Sequence, residues 1–126
     1  MLPEKIYKRA IYVTRENKRN IKGVNYLKEY DLEGFGKCLY KSHNGLQNLY
    51  EVSCKELDFL VDQTRELDYV LGSRMMGGGF GGCTINIVHK DKVEELIENV
   101  SAAYEEKYNI QLSSITTTIS DGVKRI

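Results

Sequence analysis

Apolar residues recur with a helical period through the first half of the chain and with a strand period after about Asp68, and that change sets the order of elements. From Pro3 to about Ile21, the positions Ile6, Ala10, Val13 and Ile21 fall at helical spacing, with Tyr7 and Ile11 widening the stripe. Pro3 suits a first turn and Gly23 a stop. The pattern predicts a helix that buries this stripe and leaves Glu16, Asn17 and Arg19 as a solvated, ion-paired side. Asp31 can cap a second helix along which Leu32, Phe35, Leu39, His43, Leu46 and Tyr50 step in helical register. His43 lies on that stripe, where a lone histidine reads as a hydrogen-bonded core residue rather than a ligand or catalyst. Gly34, Gly36 and Gly45 would let a neighbour pack close, at a cost of about 1 kcal/mol each relative to Ala. Ser53 with Glu56 forms a capping box for a third helix with inner face Leu57, Leu60, Val61, Thr64 and Leu67.

Beyond Asp68, Tyr69-Val70-Leu71 leads through Gly72-Ser73-Arg74-Met75-Met76 to a glycine cluster, and the β-branched run Cys83 to Val88 follows. This predicts an antiparallel hairpin with an enlarged loop. Asp91 with Glu94 opens a fourth helix whose inner stripe is Val93, Leu96, Ile97, Val100, Tyr104 and Tyr108, and Asn109 can end it. Ile115, Thr117 and Ile119 alternate with Thr116, Thr118 and Ser120, the pattern of a half-buried strand closed by Asp121-Gly122. The order helix, helix, helix, strand, strand, helix, strand predicts an α+β two-layer sandwich.

The glycine cluster carries the candidate chemistry. Five of the eleven glycines fall between Gly77 and Gly82, broken only by Phe80. A linker would dilute glycine with polar residues, whereas these glycines sit between two segments set up to pair. Clustered glycines at a hairpin tip can turn a row of main-chain N–H donors toward a ligand, which suggests a substrate-cradling or phosphate-cradling loop. Gly77-x-Gly79-x-x-Gly82 satisfies the dinucleotide-binding pattern, but a helix must follow it and here a strand does. The P-loop pattern fails because Cys83 stands where a Lys is required.

Composition narrows the classes without adding chemistry. The 126 residues suit one domain, and 18 basic against 18 acidic residues give zero formal charge, so no footprint for nucleic acid or an acidic membrane surface is present. Cys38, Cys54 and Cys83 are an odd number at wide spacing, without CxxC and with two histidines in the chain, which indicates neither a disulfide framework nor a zinc site and fits a reduced, cytoplasmic setting. No apolar run approaches the roughly 20 residues of a membrane span, and Met-Leu-Pro-Glu-Lys does not read as a signal peptide.

The segment Gly72-Ser-Arg-Met-Met-Gly-Gly-Gly-Phe-Gly-Gly-Cys-Thr84 resembles the third signature motif of galactokinases, within the wider family of small-molecule kinases acting on galactose, homoserine, mevalonate and phosphomevalonate. Ser42-His43 with Leu46, Tyr50-Glu51-Val52-Ser53 and Glu56-Leu57-Asp58 resemble the family's helical segment upstream of that motif. Glu16, Asn17 and Arg19 resemble its earlier helix, and Asp121-Gly122 with Lys124 its C-terminal tail. The resemblance implies that residues 1–126 form one domain, the C-terminal lobe of a longer kinase that phosphorylates the anomeric hydroxyl of galactose with ATP and Mg²⁺. It also implies a ferredoxin-like sandwich lacking its first strand, whose open sheet edge would invite self-association.

By the same resemblance, Gly78, Gly79, Phe80 and Gly81 border the substrate, while Gly77, Gly82 and Arg74 support the loop. Arg74 by itself reads as a strand-flanking structural charge. The family's catalytic residues, its sugar-gripping motif and its second phosphate loop lie upstream of this region, so no catalytic or metal-binding residue, and no bound cofactor, is expected here. The implied partners are galactose and ATP, through the N-terminal lobe of the parent chain. The chain departs from the family pattern at Tyr12, where a His is common, and at Met76, where a Thr is frequent. A sibling N-acetylgalactosamine kinase and a non-catalytic sugar sensor or interaction module share the same features.

Overall fold

A computed structural model of the protein describes residues 2–77, 79, 81–118 and 125. Four α-helices and one hairpin follow in the order α1 (Glu4–Lys28), α2 (Leu32–Gly45), α3 (Lys55–Arg65), β1 (Val70–Met76), β2 (Cys83–Val88) and α4 (Val93–Tyr108). A π-helical turn, Leu46–Tyr50, continues α2, and a 3₁₀ turn, Lys90–Lys92, leads into α4. The strands pair antiparallel from Val70↔Val88 to Met76↔Cys83, with an irregularity between Val70 and Gly72. The α+β class holds. A ferredoxin-like sheet is not observed: the described residues contain two strands.

The C-terminal strand expected at residues 115–120 is absent over its described part. Residues 115–118 take no strand conformation, and Ile115 is 95% exposed. The alternation there is genuine, but a strand exists only through a partner, and the described sheet gives it none. Ile119, Ser120, Asp121, Gly122 and Lys124, named above in that strand, its closing turn and the tail, lie outside the described residues.

α1 runs past Gly23 to Lys28, and the reversal comes at Tyr30, whose φ is 57°. Gly23 is buried because Phe35 packs on it, so this glycine serves a helix contact rather than a stop. The orientation of α1 is also opposite to the pattern's expectation. Tyr12 and Gly23 are its buried residues, Glu16 and Arg19 are largely covered, and Ile6, Val13 and Ile21 face outward.

The other helices follow their stripes. Asp31 accepts the Gly34 N–H at 2.9 Å and caps α2 as expected. In α3, Leu57, Leu60, Val61 and Thr64 are buried, and in α4 Leu96 and Tyr104 are. Asn109 ends α4 in the left-handed conformation. The Ser53–Glu56 capping box does not form: Cys54 occupies the N-cap position without a side-chain cap, and the Ser53 hydroxyl instead donates to Asp58 at 2.6 Å. Nor does Asp91 cap α4, whose start is the 3₁₀ turn. Tyr12, Leu46, Leu57 and Met75 form the core, with Leu49, Tyr50, Val52 and Cys54 packed around them.

α2 lies against β1 main chain to main chain. A Cβ placed on Gly36 would fall 2.1 Å from the Leu71 carbonyl oxygen, and one on Gly72 would fall 2.3 Å from that of Gly36. Gly36→Ala gains at most about 1 kcal/mol of helix propensity. It forces apart two backbones that cannot yield as side chains do, typically a 1–3 kcal/mol penalty. Gly36→Ala is therefore expected to lower the thermal unfolding midpoint by several degrees, and an unchanged or raised midpoint would contradict this close docking.

Candidate functional site

The hairpin tip is built by conformation. Gly77, Gly79, Gly81 and Gly82 have φ of 95°, 96°, 152° and 104°, values that L side chains rarely adopt, so glycine at these positions lets the chain turn back without strain. Gly77 and Gly81 have open space where a side chain would stand, whereas a Cβ on Gly79 would lie 2.3 Å from the Val52 carbonyl oxygen. The loop thus rests on the segment before α3 at Gly79 and is open on either side. The described residues of the turn, Gly77, Gly79, Gly81 and Gly82, are bends. Of the four residues expected to border substrate, Gly79 and Gly81 are described, and Gly78 and Phe80 lie outside the described residues.

Below the loop, Arg74 is held by three groups. Its Nε donates to the Met75 carbonyl at 2.8 Å, its Nη1 donates to Ser42 Oγ at 2.9 Å, and the same nitrogen lies 3.9 Å from Glu16 Oε1. Ser42 in turn donates to Glu16 at 2.9 Å, and Arg19 pairs with the other oxygen of that carboxylate. Glu16 and Arg19 are therefore parts of a partly buried network joining α1, α2 and β1, and not the solvated surface pair expected from the sequence. Glu16 is reached by Ser42 and Arg74, far away in the chain, and helical spacing alone gives no sign of that. Tyr12 sits beside the network. Burial raises its phenol above the ordinary value, the Ser42 hydrogen bond opposes the rise and the Glu16 charge adds to it.

His43 is 1% exposed and bonded at both nitrogens. The Met75 main-chain N–H donates to Nδ1 at 3.0 Å, and Nε2 lies 2.9 Å from Asp58 Oδ1. An Nδ1 that accepts carries no proton, so the ring is the neutral tautomer with its hydrogen on Nε2, directed to Asp58. Burial accordingly lowers its pKa from the ordinary value, against the raising effect of the Asp58 hydrogen bond. His43 is the expected core residue, and it ties α2 and α3 to the strand that leads into the loop.

At the loop's margins Met76 is exposed, and so is Cys83, a free thiol like Cys38 and Cys54. No grouping of three or more His, Cys, Asp or Glu suited to a metal ion occurs among the described residues, and no helix there is long and apolar enough to cross a membrane. Among its described residues, the turn has open space at Gly77 and Gly81 and rests on Val52 at Gly79. The site's two buried titratable groups, Tyr12 and His43, are occupied in packing.

The family model for the C-terminal domain of GHMP kinases matches residues 24–106. Galactokinase of Thermotoga neapolitana is 43% identical over 125 residues, which cover 99% of this chain and 36% of that protein. Galactokinase of Clostridium acetobutylicum is 45% identical over 119 residues, 94% of this chain and 31% of the relative. The crystal structure of Lactococcus lactis galactokinase complexed with galactose superposes with a TM-score of 0.83 at 37% identity, covering 86% of this chain and 28% of that one. The chain spans about a third of the length of the curated relatives it matches.

A folded-state pKa of His43 below its unfolded value means that the unfolded chain binds the extra proton. Stability is then full above the unfolded value near 6.5 and falls as pH drops below it, at no more than about 1.4 kcal/mol per pH unit from this group. Urea unfolding between pH 8 and 5 should show this acid-side loss, and His43→Gln, which cannot titrate, should flatten it. An identical slope in the variant would remove His43 as the cause.

Proposed function

The chain belongs to the GHMP kinase C-terminal family, and from that premise we propose that it is the C-terminal lobe of a galactokinase, a single domain supplying one wall of the active site. The parent enzyme transfers the γ-phosphoryl group of ATP to the anomeric hydroxyl of galactose, giving galactose 1-phosphate and ADP. The observation that carries this reading is the open glycine turn at the tip of β1–β2, on a fold shared with galactokinase.

In this reading Gly78, Gly79, Phe80 and Gly81 border the sugar. Gly77 and Gly82 allow the entry and exit of the turn, and Arg74 holds its stalk through Ser42 and Glu16. Phosphoryl transfer requires a phosphate cradle, Mg²⁺ and an orienting carboxylate. By the family resemblance, nucleotide, cation and the reacting groups are assigned to the rest of the parent, and no step is routed through a metal here. What the chain contributes is position: a main-chain surface whose conformation is fixed before the sugar arrives.

The decisive experiment is expression of the full parent reading frame and measurement of ADP release with galactose and Mg-ATP, and with N-acetylgalactosamine as competing substrate. Galactose phosphorylation is expected, and a folded parent that phosphorylates neither sugar would sink the proposal. Calorimetry on this chain alone should show no binding of galactose or Mg-ATP, whereas clear ATP affinity would relocate the nucleotide site. In the parent, Gly79→Ala combines a left-handed φ with the close approach to Val52, a strain of about 1–3 kcal/mol that the loop can relieve only by moving. Its kcat/KM for galactose should fall at least about tenfold while the unfolding midpoint shifts by a few degrees. Retention of full activity would show that the sugar does not depend on this turn.

A further inference from the structure

α1 presents an apolar stripe that the described fold leaves uncovered. Ile6, Val13, Ile21, Val24 and Leu27 are each between 40% and 66% exposed. At about 100° per residue they gather into one face roughly 120° wide, rotated by roughly 110° from the inward side that carries Tyr12, Glu16, Arg19 and Gly23. A surface helix of a self-sufficient domain turns its apolar face to its own core. This one turns a largely polar face inward, fixed by the Glu16–Ser42–Arg74 network, and an aliphatic face outward. That is the design of a helix held between two layers, of which this chain supplies one.

We propose that the outward stripe of α1 is the docking surface for the remainder of the parent chain, the part N-terminal to these residues. This rests on the reading of the chain as a C-terminal lobe. Two observations select that occupant over a second copy. The relatives carry about twice as much chain again outside the matched region. Their similarity runs through α1, since it covers 99% of this chain, although the family's C-terminal domain model begins only at residue 24. Most of the stripe, Ile6, Val13 and Ile21, therefore lies ahead of the family's domain model on a segment that the longer relatives share.

The test uses the full-length parent, with Val13→Cys and Val24→Cys as probes and Lys18→Cys, on an exposed polar side of the same helix, as reference. Thiol alkylation is followed by mass spectrometry of the α1 peptides, which separates these sites from Cys38, Cys54 and Cys83. The thiols of Val13→Cys and Val24→Cys are expected to react at least tenfold more slowly than that of Lys18→Cys in the native parent, and equally fast in denaturant. Equal rates in the native parent would overturn the proposal. So would protection that vanishes on dilution to a monomer, which would assign the stripe to a second copy, or protection gained only with anionic vesicles, which would assign it to a membrane. Labelling does not depend on catalysis, so protected thiols in a parent inactive on sugars would uphold the docking surface and reject the galactokinase reading, and fast labelling in an active parent would do the reverse.

Discussion

Helix α2 can lie along β1 at main-chain distance because neither Gly36 nor Gly72 carries a side chain. This approach fixes the register of everything above it. With Gly36 set against Leu71 and Gly72, the helix rises beside the strand so that Ser42 reaches Arg74 and His43 reaches the Met75 N–H. Main-chain N–H groups of a strand lie in the plane of its sheet. His43 therefore satisfies β1 on the side away from β2, a role that otherwise falls to another strand or to water. The buried imidazole closes an edge, and Asp58 from α3 fixes its tautomer.

The same contact carries through to the loop. α2 passes into a π-helical turn, Glu51 adopts φ of 59°, and the Val52 N–H returns to the Leu46 carbonyl at 3.0 Å. The Val52 carbonyl is thereby set where Gly79 packs against it. The glycine turn has a backstop built from the end of α2 and a stalk braced by Arg74, so its conformation is supported from two directions although glycine alone would leave it loose. A binding surface made of main chain needs such support, because fixing one backbone residue costs about 1–2 kcal/mol. If the packing of the free protein has already met that cost, a ligand does not have to.

What could be read from the sequence was what depends on neighbours close along the chain. The Asp31 cap, the inner faces of α3 and α4, the end of α4 at Asn109 and the hairpin around the glycines rest on local spacing and turn chemistry, and they are observed. Most of the misreadings turn on partners distant in sequence. Periodicity located the apolar stripe of α1 but could not say whether this chain covers it, and Glu16 looked solvated because Ser42 and Arg74 are 26 and 58 positions away. Ser53 satisfied the capping-box spacing, yet its hydroxyl found Asp58 first. Ile115 to Thr118 alternate as a strand would, and the described sheet offers them no edge pairing. The loop was legible as an element, while its rest on Val52 was not, since no pattern links residues so far apart.

The polar inward face of α1 also explains how a helix with its apolar side turned away keeps a unique seat. Aliphatic packing is nondirectional, and a smooth stripe against α2 would tolerate sliding by a turn. The Glu16 carboxylate accepts from Ser42 and pairs with Arg19 and Arg74, and a shift of one turn would leave partly buried charges without these partners. Removing one member of a buried pair costs far more than the intact pair contributes, so such a network selects a register more than it adds stability. Tyr12 strengthens the choice, because its ring fits where Gly45 has no side chain and packs tilted against Tyr50, with ring centroids 5.3 Å apart. Geometry at the loop and orientation of the apolar stripe thus depend on the same few residues, and α1 cannot be turned to bury its aliphatic face within this chain without releasing Arg74 beneath the glycine turn.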